Sequence, residues 1–189
     1  MSLTSALGEI LHQITNPNNE IRSESEANYN ELLSQKPFEV IASLLDIISS
    51  NPSANEAYVC LILIKNYLNV KKIIELISTQ LEFISQIKIT IMSFCHDSRF
   101  PKKANKFLLM ILQTFYVIQL TPQIQNIFPF PDFFPFMISL LDHDTFRSNT
   151  LETLISPYFK ESFQVFYKDI LAKIDLKSED MEYRTQSFA

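Results

Sequence analysis

The residue types able to transfer protons, ligate metals or attack as nucleophiles are few in this chain. Beyond carboxylates and hydroxyls it offers three histidines, His12, His96 and His143, and two cysteines, Cys60 and Cys95. Structural zinc sites draw on His and Cys pairs set a few residues apart. No histidine here has a second His or Cys at such spacing, and Cys95-His96 is a lone adjacent pair. Each cysteine sits within an apolar stripe, which favours buried reduced thiols over a disulfide or a metal pair. Asp142-His143-Asp144 has the composition of an acid/base cluster. It falls between two apolar periodic segments, however, where an aspartate supports a helix start by accepting amide hydrogen bonds. Capping is therefore the preferred reading.

Gly8 is the single glycine. Walker loops, dinucleotide fingerprints and nucleophile elbows each require more than one, so all three are excluded. The expectation is a protein that is not an enzyme, with no cofactor, no metal and no directly bound nucleotide. A basic cluster, Arg99, Lys102, Lys103 and Lys106, lies beside Phe100 and Phe107. Phosphate backbones attract such clusters. The acidic pI of about 5.2 and the core spacing of the phenylalanines argue instead for a solvated helix face or a docking point for an acidic protein partner, with no nucleic acid.

These residues must be positioned by helices. Positive-φ turns and bulged strands lean on glycine, so a single glycine in 189 residues makes many-stranded folds improbable. Hydrophobic residues make up 47% and charged residues 20%, enough apolar surface to offset the ordering entropy of a folded chain. The net charge of −5 is unevenly spread. Residues 1–60 carry eight acidic and two basic side chains, residues 61–110 three and eight, and residues 111–189 ten and six. This asymmetry reads either as uneven solvated faces or as an acidic N-terminal surface that recruits a basic partner.

Leu3, Ala6, Leu7, Ile10, Leu11 and Ile14 form one helical stripe. A break at Thr15 to Asn19 precedes a second helix from Glu20 to Ser34, with Ile21, Tyr29, Leu32 and Leu33 inward. Ile41, Leu44, Leu45 and Ile48 define a third helix, residues 49–53 a turn, and Ala57, Cys60, Leu61, Ile64 and Leu68 a fourth. Ile74, Ile77, Leu81, Ile84, Ile87, Ile91 and Phe94 sustain one long helix, and Ala104 to Ile118 supplies its partner. Four prolines between Thr121 and Pro135 mark the longest linker. Phe134 to Leu141, Phe146 to Ile155 and Phe163 to Ile174 continue the series, with Ser156-Pro157 ending or kinking the second of these and a polar tail after Lys177.

Antiparallel helix pairs recurring at roughly 40 residues match the HEAT and armadillo period. The expected fold is all-α: a right-handed α-solenoid of HEAT-like antiparallel pairs, about four and a half repeats, with a plain helical bundle as the competing topology. It is expected to occupy residues 1–189 as one domain, comprising N-terminal repeats over 1–70, a third pair over 71–120, a Pro-rich linker over 121–135 and further repeats over 136–189. No apolar run approaches the length of a membrane span. The first residues lack the pattern of a secretory signal, so an intracellular location is expected.

Asn18-Asn19-Glu20-Ile21-Arg22-Ser23-Glu24-Ser25-Glu26-Ala27 resembles the opening of the importin-β (karyopherin-β) N-terminal region, and Leu61-Ile62-Leu63-Ile64-Lys65-Asn66-Tyr67-Leu68 resembles the segment closing its second repeat. Arg22 and Glu26 match the family pattern, whereas Ser25 stands where alanine is usual and no arginine precedes Ala57. The motifs cover about residues 10–70. The resemblance implies a nuclear transport receptor, or the N-terminal portion of one, that carries protein cargo through nuclear pores. It also implies binding to phenylalanine-glycine nucleoporins, switching by Ran GTPase in its GTP form, and residence in cytoplasm, nucleus and nuclear envelope. The family places Ran contacts on the inner helices of the first repeats, so Arg22, Glu24, Glu26, Lys65, Asn66 and Tyr67 become candidate Ran-binding residues. Arg22 and Glu26 have an alternative reading as an i,i+4 surface pair. Family members are longer, which implies a fragment or a truncated paralogue. The alternative function is a HEAT-like adaptor or scaffold in vesicle traffic or signalling, with no Ran switch.

Overall fold

The structure is a computed structural model and describes residues 3–50, 53–97, 100 and 102–154. Among these residues there are nine helices and no strand, so the all-α class expected from the sequence is the class observed. The chain divides into two compact units: Met1–Asn69 with Arg99–Phe107, and Val70–Ser98 with Leu108–Ala189.

The first unit contains α1 (Leu3–Ile14), α2 (Asn19–Gln35), α3 (Pro37–Ser49) and α4 (Ala54–Tyr67). Their ends are fixed by local chemistry. The Asn18 side chain accepts the Glu20 amide ahead of α2, at 2.9 Å. Pro37 opens α3, where its missing amide proton has no helical partner to lose. A capping box opens α4: the Ser53 hydroxyl accepts the Glu56 amide, while the Glu56 carboxylate accepts the Ser53 amide at 2.8 Å.

Helices of this length are marginal alone in water, so tertiary burial holds them. α1 packs on α2, α3 and α4, and α3 packs on α2 and α4. Leu7, Leu11, Val40, Ile41, Leu44, Ile48, Cys60, Leu61 and Ile64 are almost wholly withdrawn from solvent. Each such aliphatic side chain contributes about 1.5–3 kcal/mol of transfer free energy, more than any single cap.

The second helix departs from expectation. Tyr29 is buried and Leu32 and Leu33 are half-buried, but Ile21 is exposed at 37%. Its place facing α1 is taken by Ser25, whose hydroxyl donates to the Gln13 side-chain oxygen at 2.8 Å, the Ile21 carbonyl lying 2.9 Å from the same hydroxyl. Close approach of α1 favours a small residue there, and serine keeps its polarity by bonding.

The second unit holds α5 (Val70–Thr79), α6 (Leu81–Phe94), the greater part of α7 (Lys102–Gln119), α8 (Phe133–Leu140) and α9 (Asp144–Leu154). The stripe from Ile74 to Phe94 belongs to two helices, not one. Gln80 leaves helical geometry, at φ −145° and ψ 51°. Just before it the Ser78 and Thr79 hydroxyls bond back to the Ile74 and Glu75 carbonyls, a habit that disturbs a helix end. The break resets the phase: Ile73, Leu76 and Ile77 are buried on α5 and Ile84, Ile87 and Ile91 on α6, while Leu81 turns outward. α5 packs on α6, and α8 on α9.

The expected linker over 121–135 is shorter and better packed than its prolines suggest. α8 already begins at Phe133, with Pro135 inside its first turn, where amides lack helical partners. Ile124, Phe128 and Phe130 are buried. Gln119 at the end of α7 accepts the Phe130 amide through Oε1 and donates from Nε2 to the Phe130 carbonyl. Lys88 donates to the Pro129 carbonyl at 2.9 Å and lies over the Phe128 and Phe130 rings, 4.4 and 4.9 Å from their centroids. An aromatic cluster completes the interior, with Tyr116 stacked on Phe133 at 4.4 Å and Phe130 edge-on to Phe133 at 5.3 Å. The expected helix over 163–174, the Ser156-Pro157 break and the polar tail lie outside the described residues.

Candidate functional site

The six residues implicated by resemblance lie on two helices of the first unit. Arg22, Glu24 and Glu26 occupy the first two turns of α2, and Lys65, Asn66 and Tyr67 the last turn of α4. Glu24, Glu26 and Asn66 are exposed, whereas Arg22, Lys65 and Tyr67 are half-buried. The Arg22 guanidinium donates to the Asn19 side-chain oxygen at 2.6 Å. It thus braces its own helix start, and the i,i+4 pair with Glu26 is not formed. Lys65 sits where a cation complements the negative end of a helix dipole.

Tyr67 takes part in the interior. Its phenol lies within electrostatic reach of the Tyr29 hydroxyl, as does the Cys60 thiol. Burial raises the Tyr29 pKa, and the two neighbours add to the rise. The Tyr67 hydroxyl is thus buried, while Glu24, Glu26 and Asn66 are exposed.

Of the basic cluster, Lys103 and Lys106 are exposed at the start of α7, while Arg99 and the Lys102 side chain lie outside the described residues. The adjoining phenylalanines are not a stacking platform. Phe100 is buried, and Phe107 meets Tyr58 edge-on at 5.4 Å.

Both cysteines are free and buried. Burial pushes the Cys60 thiol up to about 12, the Glu56 charge assisting, and burial likewise raises Cys95. A nucleophile or metal ligand must be a thiolate, so both behave as small apolar fillers.

Asp144 opens α9, and its carboxylate accepts the Arg147 guanidinium. The start of α9 is also held by the His143 carbonyl, which accepts the Phe146 and Arg147 amides. One arrangement was not legible in the sequence. His96, just past α6, and His143, between α8 and α9, come together with ring centroids 5.9 Å apart and planes at 65°. Both side chains are exposed. Their separation along the chain hid the pair, because short-spacing motifs are the only metal signal a sequence displays. Among the described residues no group of three or more His, Cys, Asp and Glu is placed to hold a metal ion, and no helix is long and apolar enough to cross a membrane.

Comparison with protein-family models, with curated proteins and with solved structures returns no match in any of the three. The importin-β resemblance accordingly stands on the two quoted sequence segments alone.

Proposed function

We propose that this chain is a protein-docking module of importin-β type: a nuclear transport receptor, or the N-terminal portion of one, which binds Ran GTPase and carries protein cargo past phenylalanine-glycine nucleoporins. In this reading the helix pairs stack as a right-handed HEAT-like solenoid, and the receptor moves between cytoplasm and nucleus.

The observation that carries it is the character of α2. Within a well-packed unit this 17-residue helix buries only Ser25 and Tyr29 and leaves Glu20, Glu24, Glu26 and Glu31 exposed. Fixed like charges on a rigid element raise the encounter rate with an oppositely charged protein, and the same helix bears the Asn18 to Ala27 segment that resembles the family.

The test is a pull-down with Ran loaded with GTP or GDP. GTP-selective capture supports the receptor; equal or absent capture by a folded chain supports the adaptor alternative. Glu24→Lys and Asn66→Ala are expected to weaken GTP-selective capture. Both sites are exposed, where substitutions usually change stability within about 0.5 kcal/mol, so melting temperatures should barely move. Unchanged capture by both variants removes these two residues from the interface.

A further inference from the structure

We infer that His96 and His143 form a two-imidazole site for a divalent transition-metal ion of the zinc class. The two rings stand 5.9 Å apart, centroid to centroid, and both reach solvent. Two imidazoles sharing a tetrahedral ion at about 2.0 Å have centroids roughly 5 Å apart. The rings therefore need to approach by only about 1 Å.

The backbones carrying the pair are held. The His96 amide donates to the Ser93 carbonyl at 3.1 Å. The His143 amide donates to the Leu140 carbonyl at 3.1 Å, and the His143 carbonyl accepts two amides of α9 at 3.0 Å each. Phe136 backs the His96 ring edge-on at 5.4 Å. The ligands are thus presented from fixed points, which lowers the ordering cost of chelation.

Neighbouring groups define the coordination. The Asp144 carboxylate is engaged by Arg147, and Cys95, next to His96, is 1% exposed. With no third His, Cys, Asp or Glu grouped there among the described residues, solvent fills the remaining positions. Imidazole nitrogen suits zinc, nickel and copper, whereas magnesium and calcium demand oxygen. The site is therefore selective by ligand type and open to exchange. By joining the end of α6 to the α8–α9 turn, a bound ion stabilises the second unit through mass action.

The full chain, freed of metal by a chelator, is titrated calorimetrically with zinc chloride and, in parallel, with magnesium chloride. One zinc is expected to bind and magnesium not to bind. Zinc alone should raise the melting temperature. His96→Gln and His143→Gln should each weaken zinc binding on the order of tenfold or more, with helical content by circular dichroism unchanged because both residues are exposed, while His12→Gln leaves binding intact. Wild-type chain that takes up no zinc at millimolar concentration overturns the inference. So does binding that survives both substitutions, or that falls equally in His12→Gln.

Discussion

Ser53 and Glu56 satisfy two otherwise orphaned amides at the start of α4. The Ser53 hydroxyl and amide hold the Glu56 carboxyl below its ordinary value of 4.5. A carboxylate whose folded pKa is depressed adds stability that is complete above its unfolded pKa and disappears as pH falls through the folded one. Ser53→Ala is expected to cost about 1 kcal/mol at neutral pH, and the gap to wild type should narrow as denaturation is repeated below pH 4.5. A gap independent of pH would show that Glu56 does not sense the cap. This box was available in the residues themselves, since a serine three before a glutamate ahead of an apolar run is a helix-start signature. The Arg22–Asn19 contact was less accessible. The spacing of Arg22 and Glu26 is equally suited to an ion pair, and only the geometry of the helix start decides between them.

Among the elements, periodicity located α1, α3, α4 and α7, whose buried positions are apolar, and α9 through the spacing of Phe146, Thr150 and Leu154. It failed where phase and burial part company. The Ile74 to Phe94 repeat is continuous in sequence, yet Gln80 interrupts the backbone and Leu81 faces outward. Apolar spacing cannot display a one-residue interruption, here at Gln80 just after the back-bonded hydroxyls of Ser78 and Thr79. α2 misled in the opposite sense, since its mostly polar residues offered Ile21 as an inward position when the close contact with α1 selects Ser25. The prolines of 121–135 correctly signalled non-helical backbone before Phe133 but not its anchoring. Gln119 bonds both main-chain groups of Phe130, itself 2% exposed. Gln119→Ala should therefore destabilise by about 1–3 kcal/mol, the cost of leaving buried polar groups unsatisfied, measurable as a lower urea midpoint. An unchanged midpoint would mean that solvent replaces the clasp.

For the molecule as a whole, composition alone decided the class: one glycine and abundant Leu, Ile and Phe leave helices as the economical way to satisfy buried backbone. The proposed function rests on two short segments of the sequence, because docking surfaces lack the fixed residue spacings that metal and phosphate sites impose. The partition into two units had no signature in composition. Each unit contains one buried cysteine, Cys60 in the first and Cys95 in the second, so single-cysteine variants report separately on each. Both thiols are expected to resist a thiol-reactive dye in native buffer and to react once urea exposes them. Rapid labelling of either without denaturant would contradict its burial.

The Gln119 clasp also bears on how this chain can diverge. Since a side chain and not a neighbouring strand meets the hydrogen-bonding needs of Phe130, the stretch before it keeps its own turn bonds, from the Gln125 amide to the Thr121 carbonyl and from the Ile127 and Phe128 amides to the Ile124 carbonyl, and owes no pairing to a sheet. Side chains at Gln125, Asn126 and Ile127, all exposed, are therefore free to drift over generations or to be redesigned, whereas added residues would pull the Ile127 and Phe128 amides from the Ile124 carbonyl.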